Sequence, residues 1–161
     1  DYTKAIEIDP YDDHSYHNRG VSRENLGKCY EAISDYFKAI EIEANRPNSY
    51  HGIGFCKSKL GDYEGAIIAY SKAIELNPKF TSAYHNLGYA KDELKDYYGA
   101  IFDYTKALEL NPKYTRAYKN RGISKEKIGD LKGACADWQK ASQLGDQTAA
   151  KWVRNECSYA Y

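Results

Sequence analysis

Methionine is absent from the 161 residues, proline occurs only four times, and net charge is zero because 23 basic and 23 acidic residues cancel. The balance of charge removes the electrostatic footprint expected of a protein that binds nucleic acid or an anionic membrane surface. No apolar run approaches the roughly 20 residues of a membrane-spanning helix, and no signal-peptide pattern opens the chain, so a cytoplasmic protein is expected. With no methionine, the expectation is a fragment or trimmed product of a longer chain, its targeting signal lost with the rest. The usual marks of chemistry are lacking too: there is no glycine-rich phosphate loop after a strand, no Gly-x-Ser-x-Gly elbow and no His-Glu-x-x-His. The expectation is therefore a chain with no catalytic residue, no metal and no cofactor.

The four cysteines, Cys29, Cys56, Cys135 and Cys157, form no CxxC pair and have no regular spacing, which excludes a zinc site. The sequence favours small buried thiols in a reducing compartment. A bond between Cys135 and Cys157 is the sharper alternative, and it depends on a geometry that sequence alone does not supply.

What is abundant is tyrosine, 17 of them, and much of it is periodic. A shift of 34 residues superposes Tyr16, Tyr50, Tyr84 and Tyr118, then Gly20, Gly54, Gly88 and Gly122, then Ala32, Ala66, Ala100 and Ala134. Three columns in one register identify a helix-turn-helix repeat. A glycine inside a helix costs about 1 kcal/mol relative to alanine, so the Gly column needs a compensating gain. Close approach of two helices supplies it, because Gly88 and Ala100 let Tyr84, Leu87, Tyr104 and Ala107 interlock.

The element limits can be read in the unit from Thr81. A first helix is expected from Thr81 to Leu94, a turn at Lys95-Asp96, and a second helix from Tyr97 to Leu110. It stops before Asn111-Pro112, because the residue preceding proline is pushed out of helical geometry. Elsewhere the turns carry Gly27, Gly61 and Gly129, suited to the left-handed conformation that ends a helix. Nine helices plus an N-terminal remnant are expected, with no strand.

These columns, with the order aromatic, Gly, Ala, aromatic, Ala and Pro, resemble a tetratricopeptide repeat array over almost the whole chain. Tyrosine replaces the family's frequent tryptophan in the Tyr84 column, and Ala44 stands where a proline would close the first full unit. The resemblance implies an all-α, right-handed superhelical solenoid of antiparallel helix pairs. Residues 1–12 are then a remnant second helix, 13–46, 47–80, 81–114 and 115–148 are repeats, and 149–161 form a capping helix and tail. The final repeat, with Trp138 in the Tyr104 column, resembles those closing bacterial members of the family.

The function implied is that of a protein-interaction scaffold holding a peptide or partner segment along a concave inner face. Three histidines, His17, His51 and His85, share a column one residue after the structural tyrosine. They are expected to face the ligand and to gain charge near their ordinary pKa of about 6.5. A single metal ion does not bridge them, since adjacent helices lie about 8–10 Å apart and zinc–nitrogen bonds measure about 2 Å. Beside them run Asn18, Gly52, Asn86 and Asn120, whose amides can serve a peptide backbone. One turn on come Val21, Phe55, Tyr89 and Ile123, an apolar row for its side chains.

The family's clamp for chaperone C-terminal carboxylates is not completed in any register. The better alignments, such as His51 and Phe55 with Asn86, Arg116 and Asn120, place two of five groups. Arg116, Lys119, Lys127 and Arg154 still bias the C-terminal end of the groove towards an acidic ligand segment. A docking arm of a larger enzyme and a self-assembling unit are the alternative functions, the latter because the remnant helix at 1–9 leaves Tyr2 and Ala5 uncovered.

Overall fold

A computed structural model describes residues 1–157; the last four positions of the expected cap and tail lie outside the described residues. The described residues form ten α-helices and no strand: α1 (Tyr2–Ile8), α2 (Asp13–Asn25), α3 (Cys29–Ile42), α4 (Pro47–Lys59), α5 (Tyr63–Leu76), α6 (Thr81–Glu93), α7 (Tyr97–Leu110), α8 (Thr115–Lys127), α9 (Leu131–Gln143) and α10 (Gln147–Glu156). Consecutive helices pack in pairs. The chain divides into two compact units, Asp1–Ala83 and Tyr84 onward, with the division in the first turn of α6.

Local chemistry sets the helix limits. Asp62, Asp96 and Asp130 cap α5, α7 and α9, each side chain accepting from the backbone N–H of Gly65, Gly99 or Gly133. The C-caps Asn77 and Asn111, each ahead of a proline, are extended. Gly27, Gly61 and Gly129 end first helices with positive φ, while Lys95 takes the same conformation at φ 64° with a full side chain.

In the first unit the core is Cys29, Ala32, Tyr36, Ile53, Cys56 and Ala69, with Val21, Ile33 and Ile40 packed against it. A Cβ on Gly20 would meet the Tyr36 ring at 2.8 Å and one on Gly54 would meet Tyr70 at 2.7 Å, so these glycines mark close helix approach. Gly52 has the same cause. A Cβ there would stand 2.4 Å from Tyr36 Cζ, which is why an otherwise asparagine-rich column is interrupted.

In the second unit Ala107, Leu108 and Ala117 form one core cluster, and Ala134, Cys135, Trp138, Ala141, Ala149 and Cys157 another. The expectation of free thiols is corrected here. Cys135 of α9 is joined to Cys157 at the end of α10, with Cα atoms 5.6 Å apart, because the closing helix carries Trp152 against Trp138 and thereby brings the two residues together. Cys29 and Cys56 are free and buried. No described helix is long and apolar enough to cross a membrane.

Candidate functional site

The first helices carry the predicted ligand-facing columns, and each unit presents its own part. In the first unit, α2 supplies His17 and Asn18 and α4 supplies His51 and Phe55. The ring of His17 lies 5.6 Å from that of Tyr36, and its Nδ1 is 2.9 Å from Ser49 Oγ. Burial, followed by the nearby Arg46 and His14 charges, lowers its pKa. His51 is packed between Tyr70, at 5.5 Å, and Phe80, at 4.9 Å and stacked. Burial of the ring lowers its pKa from 6.5 to about 4. Phe55 remains half-exposed with Lys59 Nζ 5.4 Å above its ring. Asn18 is half-buried, and its backbone carbonyl accepts from Ser22 Oγ.

In the second unit, His85 is buried against Tyr104 at 5.6 Å and Tyr114 at 4.9 Å. Its Nδ1 is 3.0 Å from Asn86 Oδ1, and Asn120 Nδ2 is 3.3 Å from its Nε2. A carboxamide oxygen only accepts and its nitrogen only donates, so Nδ1 carries the proton and Nε2 offers its lone pair. Protonating Nε2 would set two donors against each other. Burial is nevertheless the leading cause of the lowered His85 pKa.

Burial lowers the pKa of all three histidines from the ordinary value expected of the row, and His17 stays half-exposed. The residue just ahead of the following first helix, Phe80 for His51 and Tyr114 for His85, closes over the ring. Asn86 and Asn120 both contact the His85 ring.

The groups that remain presented are Tyr89, 41% exposed, with Asn120 and Ile123 half-buried. They share a cavity of about 380 Å³ with Asp92, Glu93, Lys95, Tyr97 and Lys127. Asp92 accepts from Tyr104 Oη at 2.8 Å and from Ser124 Oγ at 2.8 Å; burial raises its pKa despite these bonds. A cavity of about 480 Å³ lies in the first unit, lined by Glu24, Asn25, Gly27, Cys29, Phe55, Lys59 and Leu60. There Tyr36 Oη donates to Glu24 Oε2 at 2.7 Å, and burial again raises the carboxyl pKa.

Of the predicted basic cluster, Lys127 is exposed and lines the second-unit cavity. Lys119 pairs with Asp146 at 3.0 Å, Arg116 is exposed, and Arg154 is exposed and engaged in another contact. No group of three or more His, Cys, Asp or Glu suited to a metal occurs among the described residues. Sequence reasoning passed over Glu24 and Asp92; the usable signal was a carboxylate in the same repeat position, opposite the buried Tyr36 and Tyr104.

Tetratricopeptide repeat models match residues 13–46 and 81–114, and a TPR repeat model matches residues 58–92, together more than half of the sequence. The chain belongs to the tetratricopeptide repeat family. Among solved structures, a crystal structure of MamA is similar at 26% identity and TM-score 0.86, over 92% of this chain and 87% of that one. MamA from residue 41 onward of Desulfovibrio magneticus RS-1 is similar at 21% identity and TM-score 0.83, over 89% and 81%. The first TPR domain of Spaghetti (RPAP3), solved bound to the HSP90 peptide SRMEEVD, is similar at 24% identity and TM-score 0.71, over 73% and 93%. At that identity the last two likenesses carry the fold alone. No curated protein sequence matches the chain. Membership of this family supports a protein-interaction scaffold as the class of function.

Proposed function

We propose that the chain holds a segment of a partner protein against the first-helix face of each unit. The observation that carries this reading is the second-unit cavity, where an exposed aromatic ring, an amide, an apolar side chain and charges of both signs converge at Tyr89, Asn120, Ile123, Asp92 and Lys127. A pocket of mixed apolar wall and few placed polar groups is the usual form of a recognition site. Tyr89 supplies the kind of rigid aromatic contact area over which binding energy concentrates. Phe55 and Lys59 give the first unit a similar wall. Arg116 and Arg154 are exposed in the second unit.

The experiment is a selection of binding segments from a random peptide library, followed by titration of the selected peptide against Tyr89→Ala and Ile123→Ala. Tyr98→Ala and Phe102→Ala, on exposed positions of α7, serve as controls. Loss of at least tenfold in affinity in the first pair with little change in the second supports the reading. Loss confined to the α7 variants would overturn it.

A further inference from the structure

The buried carboxylates of this chain fall into two classes. Asp35 is paired with Arg19 and Arg23, Asp103 with Lys91, and Asp137 with Arg121 and Lys125, all within 2.8 Å. Each of these has its counter-ion on a neighbouring helix. Glu24 and Asp92 are only half-buried, and neither carries an ion pair among the described residues; they accept hydrogen bonds from hydroxyls, from Tyr36 and from Tyr104 and Ser124. Both line cavities, and the two cavities are built from the same repeat positions two periods apart. Glu24 corresponds to Asp92, Phe55 to Ile123 and Lys59 to Lys127.

A carboxylate taken out of water without a cation is costly, and a hydroxyl donor offsets that cost less fully than an ion pair does. The tyrosine hydroxyl fixes the orientation of the carboxylate while leaving its charge uncancelled. Lys59 in the first cavity and Lys95 and Lys127 in the second are exposed, so water screens them, whereas a charge brought to the half-buried carboxylate acts through a lower dielectric. The apolar walls, Phe55 in one unit and Ile123 in the other, suit the methylene stem of a long side chain, which buries its carbons while keeping its charged head paired.

We propose that each of these two pockets takes the side-chain cation of a lysine or arginine from the partner segment, with the Glu24 or Asp92 carboxylate as its counter-ion. This rests on the reading that the first-helix face holds a partner segment, and it revises the acidic ligand expected from the sequence. The exposed Lys59 and Lys127 are then left to the carbonyls or acidic neighbours that flank the basic residue.

The test uses three single-residue probes, the Nα-acetyl N-methylamides of lysine, norleucine and glutamine, titrated into the ¹⁵N-labelled chain. The lysine probe is expected to shift amide resonances around Asp92 and around Glu24 and to bind at least tenfold more tightly than the norleucine probe. Asp92→Asn should abolish the second-unit shifts and leave those of the first unit; Glu24→Gln should do the reverse, so each unit is the folding control for the other. Equal binding of lysine, norleucine and glutamine probes, or lysine shifts indifferent to both substitutions, would overturn the assignment. If the lysine probe fails while a library-selected peptide still depends on Tyr89 and Ile123, the cation pockets are wrong and the binding face stands. If both fail, the binding face is wrong too.

Discussion

Lowering the pH from 7 to 5 should destabilise the first unit through His51. The ring is held neutral between Tyr70 and Phe80 with its pKa lowered to about 4, against 6.5 for the ordinary side chain. Below 6.5 the unfolded chain takes up a proton that the folded chain refuses, so stability falls with falling pH until the folded pKa is reached. Each pH unit in that window removes about 1.4 kcal/mol per histidine, so His51 alone accounts for about 2 kcal/mol between pH 7 and pH 5. His17 and His85 are shifted in the same direction and add to it. The raised carboxyls of Glu24, Asp92 and Asp103 act in the opposite sense from the upper edge of the carboxylate range, which is why the comparison stops at pH 5. Urea unfolding followed by far-ultraviolet circular dichroism at both pH values measures the loss. His51→Phe keeps an aromatic ring between Tyr70 and Phe80 and cannot titrate, so its loss should be smaller by about 2 kcal/mol. Identical losses in the parent and in His51→Phe would refute the reasoning.

Reduction of the Cys135–Cys157 bond, which spans 22 residues, should cost about 3 kcal/mol on the loop-entropy account and lower the thermal midpoint of the second unit; an unchanged melt in reductant would count against it. Lys95→Gly removes a side chain from a left-handed position at φ 64° and should stabilise the chain by about 1 kcal/mol, read from the urea midpoint, with a neutral or destabilising result as the contrary outcome. Asn120→Ala removes the donor to His85 Nε2 and should cost about 1–2 kcal/mol of stability; a melt equal to the parent's would show that the amide is not needed for packing.

The helices were legible because their punctuation is local. Asn111-Pro112 stops α7, Asp96 starts it, and the 34-residue register carries the same signals to neighbouring units. The Gly and Ala columns were legible as close approach because little else accounts for a glycine repeated in helix interiors, and Gly88 against Tyr104 has that geometry.

The burial of His51 and His85 was not legible for a reason of distance. His85 lies one residue from Tyr84, which suggests an outward-facing side chain, but the residue that covers it, Tyr114, comes 29 positions later after a turn. Phe80 does the same for His51. The signal was present as an aromatic two residues after each Asn-Pro step, and its meaning depends on a contact that no local pattern encodes. Glu24 and Asp92 were passed over on similar grounds, since a carboxylate near the end of an amphipathic helix looks solvated until Tyr36 and Tyr104 are placed beneath it.

The central claim is that the first-helix face is where a partner segment lies, and hydrogen–deuterium exchange of the chain with and without a library-selected peptide tests it most directly. Binding that places a peptide over Tyr89, Asn120 and Ile123 should slow exchange in the later turns of α6 and α8, around residues 86–93 and 119–127. The outer positions of α7 should be unchanged. Protection confined to α7 around Tyr98 and Phe102, with α6 and α8 exchanging as in the free chain, would contradict the account.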